Sequence, residues 1–375
     1  MKKCLVLLLA LLICAAGALA EALEPNPTLE PVQPLRSCRI RAVGDLMVHK
    51  KQLEIAKQAD GSYDFHPQYA LIADSLADAD YTIANLETTI GRYENRPYSG
   101  YPMFNTPESL LDAVKDAGVD FLTLANNHML DRYFEGMVKT ADNVEAWGFD
   151  FGGANRTPQE KEKPNIVEVN GIRLGFLCYT QMTNGMEDWS NAAVKEYGVN
   201  YLRKADLPGE VAALRQAGAD VVIAIPHWGE EYFRRPQSYI VTWAQKMVAA
   251  GVDVVLGSHP HMVQPVEFVE AEGHRGLVAY SMGNFIDNML KRYTDSGIIL
   301  EFTVQETQDG GFAITNVGIV PVYCWKQDAN IQTVASLKYL DEPPEGMSSG
   351  TWQRMKDSYW ELRDLIDDSI PMLVE

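Results

Sequence analysis

Apolar runs that alternate between strand-like and helix-like patterning predict a mixed α/β fold of the α+β kind, with helices laid against sheets. Short β-like runs at residues 81–84, 119–124, 219–225 and 252–256 are separated by stretches of helical period, among them 207–216 and 239–250. Residues 166–169 and 172–179, joined by Asn170-Gly171, carry a hairpin signature, so the sheets are mixed rather than purely parallel. A hydrophobic share of 46% and a charged share of 22% over 375 residues are those of a globular chain able to bury a substantial core.

The segments follow in order. Residues 1–20 have the form of an export signal: Lys2-Lys3, an apolar run over 5–16, then Ala18-Leu19-Ala20 as a small-x-small cleavage site. Whether cleaved or kept as an anchor, such a signal puts the domain outside the cytoplasm, secreted or attached to the cell surface. Residues 21–37 hold Pro25, Pro27, Pro31 and Pro34 among acidic and small residues and read as an extended linker. The folded domain is expected over 38–325, followed by a helical extension over 326–375.

Within that domain a strand at 38–43 exits through Gly44-Asp45, and a helix over 71–79 precedes the strand at 81–84, which closes in Asn85-Leu86-Glu87. Leu110, Leu111 and Val114 share a helical face stopped by Gly118, and the strand at 119–124 opens into Ala125-Asn126-Asn127-His128 with Asp131 beyond. A helix over 134–147 stops at Gly148, after which the chain returns towards the sheet. The strand at 219–225 runs into Pro226-His227-Trp228-Gly229-Glu230-Glu231, that at 252–256 into Gly257-Ser258-His259-Pro260-His261, and that at 277–281 into Met282-Gly283-Asn284-Phe285. Strands at 298–304 and 312–322 flank Asp309-Gly310-Gly311, and 352–366 is a charged amphipathic helix.

Charge and cysteine content narrow the function. Lys+Arg is 32 against Asp+Glu 51, a net of -19, which disfavours nucleic acid and anionic membrane surfaces as partners. Cys38, Cys178 and Cys324 lie far apart without metal-type spacing; one disulfide is allowed, none is required, and core filling is the simpler role.

The polar residues that follow the apolar runs define the chemistry. In sheets built from alternating strands and helices, function gathers at the carboxyl ends of the strands. His128, His227, His259 and His261 all fall there, out of seven histidines in the chain. A lone His-x-His is an ordinary polar loop; several such sets together point to a metal centre. Asp45, Glu87, Asn127, His227, His259 and His261 offer imidazole, carboxylate and amide oxygen without thiolate, a set suited to Mn, Zn or Fe and poorly suited to calcium. These groups are too many for one tetrahedral ion and fit two divalent ions about 3.5–4 Å apart sharing a carboxylate. Such a pair activates water near neutral pH, which implies hydrolysis or group transfer at phosphorus or an acyl carbon. His128 is set apart as a general acid oriented by Asp131, or alternatively as a cap for its own loop.

Taken together, Gly44-Asp45, Asn85-Leu86-Glu87, Ala125-Asn126-Asn127-His128, His227-Trp228-Gly229-Glu230-Glu231-Tyr232, His259-Pro260-His261 with Gln264-Pro265, and Tyr280-Ser281-Met282-Gly283-Asn284-Phe285 resemble the bacterial poly-γ-glutamate capsule-synthesis (CapA-type) proteins. That family is similar to the calcineurin-like metallophosphoesterases, so the resemblance implies a two-sheet αββα sandwich. It further implies that Asp45, Glu87, Asn127, His227, His259 and His261 hold metal, that His128 is the acid, and that Asn85, Asn126, Trp228, Glu231 and Asn284 line the substrate pocket. The implied function is a surface metal-dependent hydrolase in synthesis or export of poly-γ-glutamate, acting on the anionic polymer or on a phosphorylated or lipid-linked substrate, within a membrane capsule-synthesis complex. The alternative is a non-catalytic accessory of a capsule polymerase or exporter whose metal site is structural or vestigial. Two positions depart from pattern. Met47 stands where the wider metallophosphoesterases have a histidine, with His49 as a possible substitute, and Asp131-Arg132-Tyr133 stands where the capsule family usually has Asp-Tyr-Gly.

Overall fold

In the computed structural model, residues 35–93 and 96–374 are described; the export signal expected at 1–20 and the linker expected at 21–37, up to residue 34, lie outside them. From Arg36 to Glu375 the chain forms one unit. Its strands are β1 (Ser37–Leu46), β2 (Tyr81–Leu86), β3 (Thr89–Ile90), β4 (Asn105–Thr106), β5 (Phe121–Thr123), β6 (Asp150–Gly152), β7 (Ile166–Val169) and β8 (Ile172–Thr180). They continue with β9 (Val221–His227), β10 (Val254–Leu256), β11 (Val266–Ala271), β12 (His274–Ala279), β13 (Asn284–Ile286), β14 (Ser296–Glu306), β15 (Phe312–Lys326) and β16 (Ile331–Ala335).

One sheet runs β16-β15-β14-β1-β2-β5-β6 with β13 beside β1, and the other runs β11-β12-β10-β9-β8-β7. Both are mixed: β1-β2-β5-β6 and β8-β9-β10-β12 are parallel, whereas β14, β15 and the expected β7–β8 hairpin pair antiparallel. Alternation along the strands sets the layers. Ile40, Ala42 and Ile83 from the first sheet meet Leu174, Ile223, Val254 and Leu277 from the second in a shared core. On the outer face of the first sheet, Val43, Ala84 and Leu122 pack on Leu110, Val114, Met137 and Ala141 of helices Ser109–Asp116 and Tyr133–Ala146. On the outer face of the second, Val222, Ala224 and Val255 pack on Val211, Leu214, Ala244 and Met247 of helices Leu207–Gln216 and Ser238–Ala249. This is the αββα sandwich.

Residues 326–375, expected as a helical extension, are more than that. Residues Ile331–Ala335 form β16 at the edge of the first sheet, and helix Ser349–Arg363 buries Met355 against Tyr323, Trp325 and Val334. The strand is short and follows directly on the long β15, so its pattern does not stand out in sequence. Cys38, Cys178 and Cys324 are buried and free, as core fillers would be. Among the described residues no helix is long and apolar enough to cross a membrane.

Close backbone contact fixes the strand ends that matter. A Cβ on Gly44 would lie 1.9 Å from the Gly283 carbonyl oxygen, where β1 turns against β13 and the Asp45 amide donates to that same oxygen at 3.0 Å. Gly44→Ala is therefore expected to destabilise the fold by about 3 kcal/mol or more, measured by urea unfolding. Unchanged stability would mean that β1 and β13 separate freely at this point.

Candidate metal centre

The parallel strands of the two sheets deliver their carboxyl ends to one buried cluster. Asp45 comes from β1, Glu87 follows β2, Asn127 follows β5, His227 ends β9, and His259 and His261 follow β10. All six are at most 3% exposed. They fall into two groups: Glu87, His227 and His259 in one, Asp45, Glu87 and His261 in the other, with the ligand atoms of each within 4.8 Å of one another. Asn127 joins the first group, its Oδ1 lying 2.9 Å from His227 Nε2. Glu87 belongs to both.

Its carboxylate is the main anomaly of the fold. Both Glu87 oxygens are buried without a hydrogen-bond partner, Oε1 lying 3.7 Å from His227 Nε2 and 3.8 Å from His261 Nε2. Leaving a buried charged acceptor unmatched costs several kcal/mol, so such an atom points to a missing cation. His259 Nδ1 and His227 Nε2 face each other at 3.1 Å. Two ring nitrogens, an amide oxygen and a carboxylate oxygen aimed at one point make a set of acceptors that a divalent ion satisfies.

The electrostatics agree. Burial, with Asp45 next to it, pushes the Glu87 carboxyl well above its ordinary range. Burial pulls the imidazole of His227 well below its ordinary value and, with His261 beside it, takes His259 down to about 3, so both rings are neutral and fit to ligate. Burial also opposes charge on His261, yet Glu87 and Asp45 outweigh it and raise that imidazole to about 10. Without a metal, His261 is the local cation.

The ligands are held from behind. His227 Nδ1 lies 2.8 Å from Ser258 Oγ, and His261 Nδ1 lies 3.0 Å from both Asp45 Oδ2 and Asn284 Oδ1. Asn284 in turn donates to Asp287 and, at 3.1 Å, to the Thr294 carbonyl, and Asp287 is paired with Lys326. Such partners fix ring orientation at metal sites. His259 and His261 both adopt positive φ, at 100° and 55°, a conformation non-glycine residues avoid; here it turns both rings inwards.

His128 stands in neither ligand group. Its Nδ1 is 2.8 Å from Asp131 Oδ2, which also accepts the Phe104 amide at 2.6 Å, and the Phe104 ring meets the imidazole edge-on at 4.6 Å. Burial raises the Asp131 carboxyl, with His128 opposing the shift. The next residue fills the Asp-Tyr-Gly departure with a clamp. Arg132 donates to the Asp131 carbonyl at 2.9 Å, to Ser99 Oγ at 2.6 Å and to the Met103 carbonyl at 3.2 Å, tying the 99–104 loop to the histidine. Tyr133, in the place of the glycine, takes φ 59°.

Four of the residues expected in the substrate pocket are buried and hydrogen-bonded within the protein. Trp228 is 0% exposed and donates to the Tyr280 carbonyl at 2.9 Å, filling the core beneath the centre. Asn85 donates to Asp45 Oδ1 at 2.7 Å, Asn126 to the Leu86 carbonyl at 2.7 Å, and Asn284 holds His261, so all three are buried supports. A polar residue in a motif signals the site but not which side of the ligands it faces. Glu231 is exposed and acts electrostatically on both Glu87 and His261. His49 accepts the Asn288 amide at 3.2 Å through Nδ1, is pulled by burial to about 4, and belongs to neither ligand group. Phe104 and Lys326 join the site only through tertiary contact, which no local pattern shows, whereas Ser258 lies inside the His259–His261 motif and Asp287 at i+3 from Asn284.

Comparison with known proteins places this arrangement. The chain is 29% identical over 287 residues to the capsule biosynthesis protein CapA of Bacillus anthracis, covering 73% of this chain and 65% of that one. It is 26% identical over 290 residues to the PGA biosynthesis protein CapA of Bacillus subtilis (strain 168), covering 74% and 70%. The chain thus spans slightly less than two thirds of the first of these relatives. Among solved structures it is similar to the calcineurin-like phosphoesterase YfkN from Bacillus subtilis, at 14% identity and a TM-score of 0.45 over 88% of this chain and 99% of that chain. The profile of the family described as bacterial capsule synthesis protein PGA_cap matches residues 39–289, a span that holds every ligand of the centre and His128. The chain belongs to the PGA_cap family of bacterial capsule synthesis proteins.

Proposed function

We propose that the protein is an extracytoplasmic metal-dependent hydrolase or transferase acting on poly-γ-glutamate or on a phosphorylated or lipid-linked precursor of it. The observation that carries this reading is the unpartnered Glu87 carboxylate shared by two convergent ligand sets. The printed names of the CapA relatives support the polymer as substrate class. Asp45, Glu87 and His261 would hold one divalent ion and Glu87, Asn127, His227 and His259 the other, of the Mn, Zn or Fe type. Bound there, the ions supply Lewis acidity and an activated water.

The chain's own residues do the rest. Asp131 holds His128 through Nδ1, which leaves Nε2 to deliver a proton to a leaving group. Phe104 packs on that ring and limits its rotation. Asn284 and Ser258 keep the ligating rings aimed, and the buried apolar floor around Trp228 strengthens every charge interaction above it.

Metal binding should be strongly pH-dependent in a defined direction. Glu87 has its carboxyl raised and His261 its imidazole raised to about 10, so an incoming cation displaces protons and affinity rises with pH. Titration calorimetry with Mn²⁺ in buffers of different ionisation enthalpy is expected to show proton release at pH 7. Binding without proton release would contradict this charge arrangement.

The non-catalytic accessory reading is favoured by one feature. Met47 is buried and stands in sequence where the wider metallophosphoesterases have a histidine, while His49 accepts the Asn288 amide and joins neither ligand group. Elemental analysis of purified protein, with assays on activated phosphodiesters and γ-glutamyl oligomers, separates the two. Turnover that requires metal and His128 establishes the enzyme; bound metal without turnover establishes the accessory.

A further inference from the structure

The rim of the centre carries one cation that the proposed chemistry has not used. Lys291 Nζ sits 3.7 Å from the centroid of the Tyr232 ring, and among the described residues no carboxylate is paired with it. Its neighbours are committed: Arg292 to Glu361, and Arg234 to the Tyr293 ring at 4.3 Å and the Glu361 carbonyl at 2.5 Å.

The Tyr232 platform is fixed to the metal centre. Its ring centroid is 6.3 Å from that of His261, and its amide donates to the carbonyl of Pro260, between the two ligating histidines, at 2.8 Å. Tyr232 takes φ 70°, a strained choice for an aromatic residue. Strain of this kind persists where surrounding contacts over-determine it, and it clusters at ligand sites. The neighbouring charge is acidic: Glu231 acts on Tyr232, Glu87 and His261 alike. A polyanion approaching a chain of net charge -19 therefore meets, beside the ligands, a cation that has no carboxylate paired with it among the described residues: Lys291.

We propose that Lys291, seated on Tyr232, forms a carboxylate-binding subsite next to the metal centre that takes the free α-carboxylate of a γ-linked glutamyl repeat. This rests on the polymer reading above. A γ-linked repeat has five backbone bonds where an α-linked residue has three, hence about 6 Å per repeat at full extension. The Tyr232 ring centroid is 6.3 Å from that of His261 and 3.7 Å from Lys291 Nζ, so the ammonium lies within the reach of two such repeats from the His261 ring. A repeat held at the metal centre can thus reach the ammonium with the carboxylate of a neighbouring repeat.

The test is calorimetric binding of a γ-glutamyl tetramer to the metal-loaded protein, wild type against Lys291→Ala, Lys291→Glu and Lys291→Arg. The probe is run beside a tetramer whose α-carboxylates are amidated. Lys291→Ala is expected to weaken the acidic tetramer about five- to tenfold, in a salt-dependent way, with Lys291→Arg retaining affinity. The amidated tetramer should not distinguish the variants, and metal content and thermal midpoint should stay at wild-type values. Equal binding of the acidic tetramer by wild type and Lys291→Glu overturns the subsite and leaves the polymer reading standing. If the wild type binds neither tetramer, the polymer reading fails and the subsite with it. A loss in Lys291→Ala that is the same for the amidated tetramer also overturns the carboxylate assignment.

Discussion

Glu87→Gln is expected to stabilise the metal-free protein and destabilise the metal-loaded one. In the absence of a cation, the Glu87 carboxylate is buried with Asp45 beside it, and neither oxygen has a hydrogen-bond partner of good geometry. Its carboxyl is raised well above the ordinary value, so the metal-free fold is favoured when the group is protonated and loses that stability as pH rises through the shifted value. An amide removes the charge while keeping the shape and a donor for Asp45. A gain of about 1–3 kcal/mol follows, at pH values where Glu87 would otherwise ionise, from removing a buried charge whose oxygens lack hydrogen bonds. With metal present the order reverses, because the shared ligand is gone and stabilisation by a bound ion falls with its affinity. Thermal unfolding with chelator and with saturating Mn²⁺ checks both halves. A variant less stable than wild type in both conditions would assign Glu87 a purely structural role.

His128→Ala is expected to lower turnover by about 10²- to 10⁴-fold, the usual contribution of a positioned general acid. Metal content should not change, since His128 lies in neither ligand group. Asp131→Asn should fall between wild type and His128→Ala, because it weakens the 2.8 Å contact that orients the ring but leaves the imidazole in place. The alkaline limb of the pH–rate profile, where a general acid loses its proton, distinguishes positioning from structural damage: Asp131→Asn shifts it, whereas simple unfolding lowers the rate at every pH. Loss of metal from His128→Ala would show instead that the imidazole is a ligand.

The layers of the fold and the strand ends that carry the ligands were legible because they rest on local signals. Hydrophobic alternation marks 81–84, 219–225 and 252–256, and the polar residues after each run are adjacent in sequence. Short elements were not legible, although the late strands at 298–304 and 312–322 and the helix at 352–366 were. The strands Val266–Ala271, Asn284–Ile286 and Ile331–Ala335 have half-polar or very short patterns, and they exist because a neighbouring strand offers hydrogen bonds. Residue type likewise predicted membership of the site better than role. His227, His259 and His261 are inward-facing ligands, whereas Trp228, Asn85, Asn126 and Asn284 carry equally polar groups turned towards the backbone or the ligands themselves. Which way a side chain faces depends on the turn that carries it, as the positive φ values of His259 and His261 show.

Elemental analysis of the purified protein, joined to a crystal grown with Mn²⁺ and measured at the manganese edge, tests the metal centre most directly. An anomalous peak bounded by Glu87, Asn127, His227 and His259 is expected at full occupancy, with a second, weaker one between Asp45, Glu87 and His261, a group of three residues against four. Stoichiometric protein with no metal at Glu87, or metal bound only away from it, would contradict the centre.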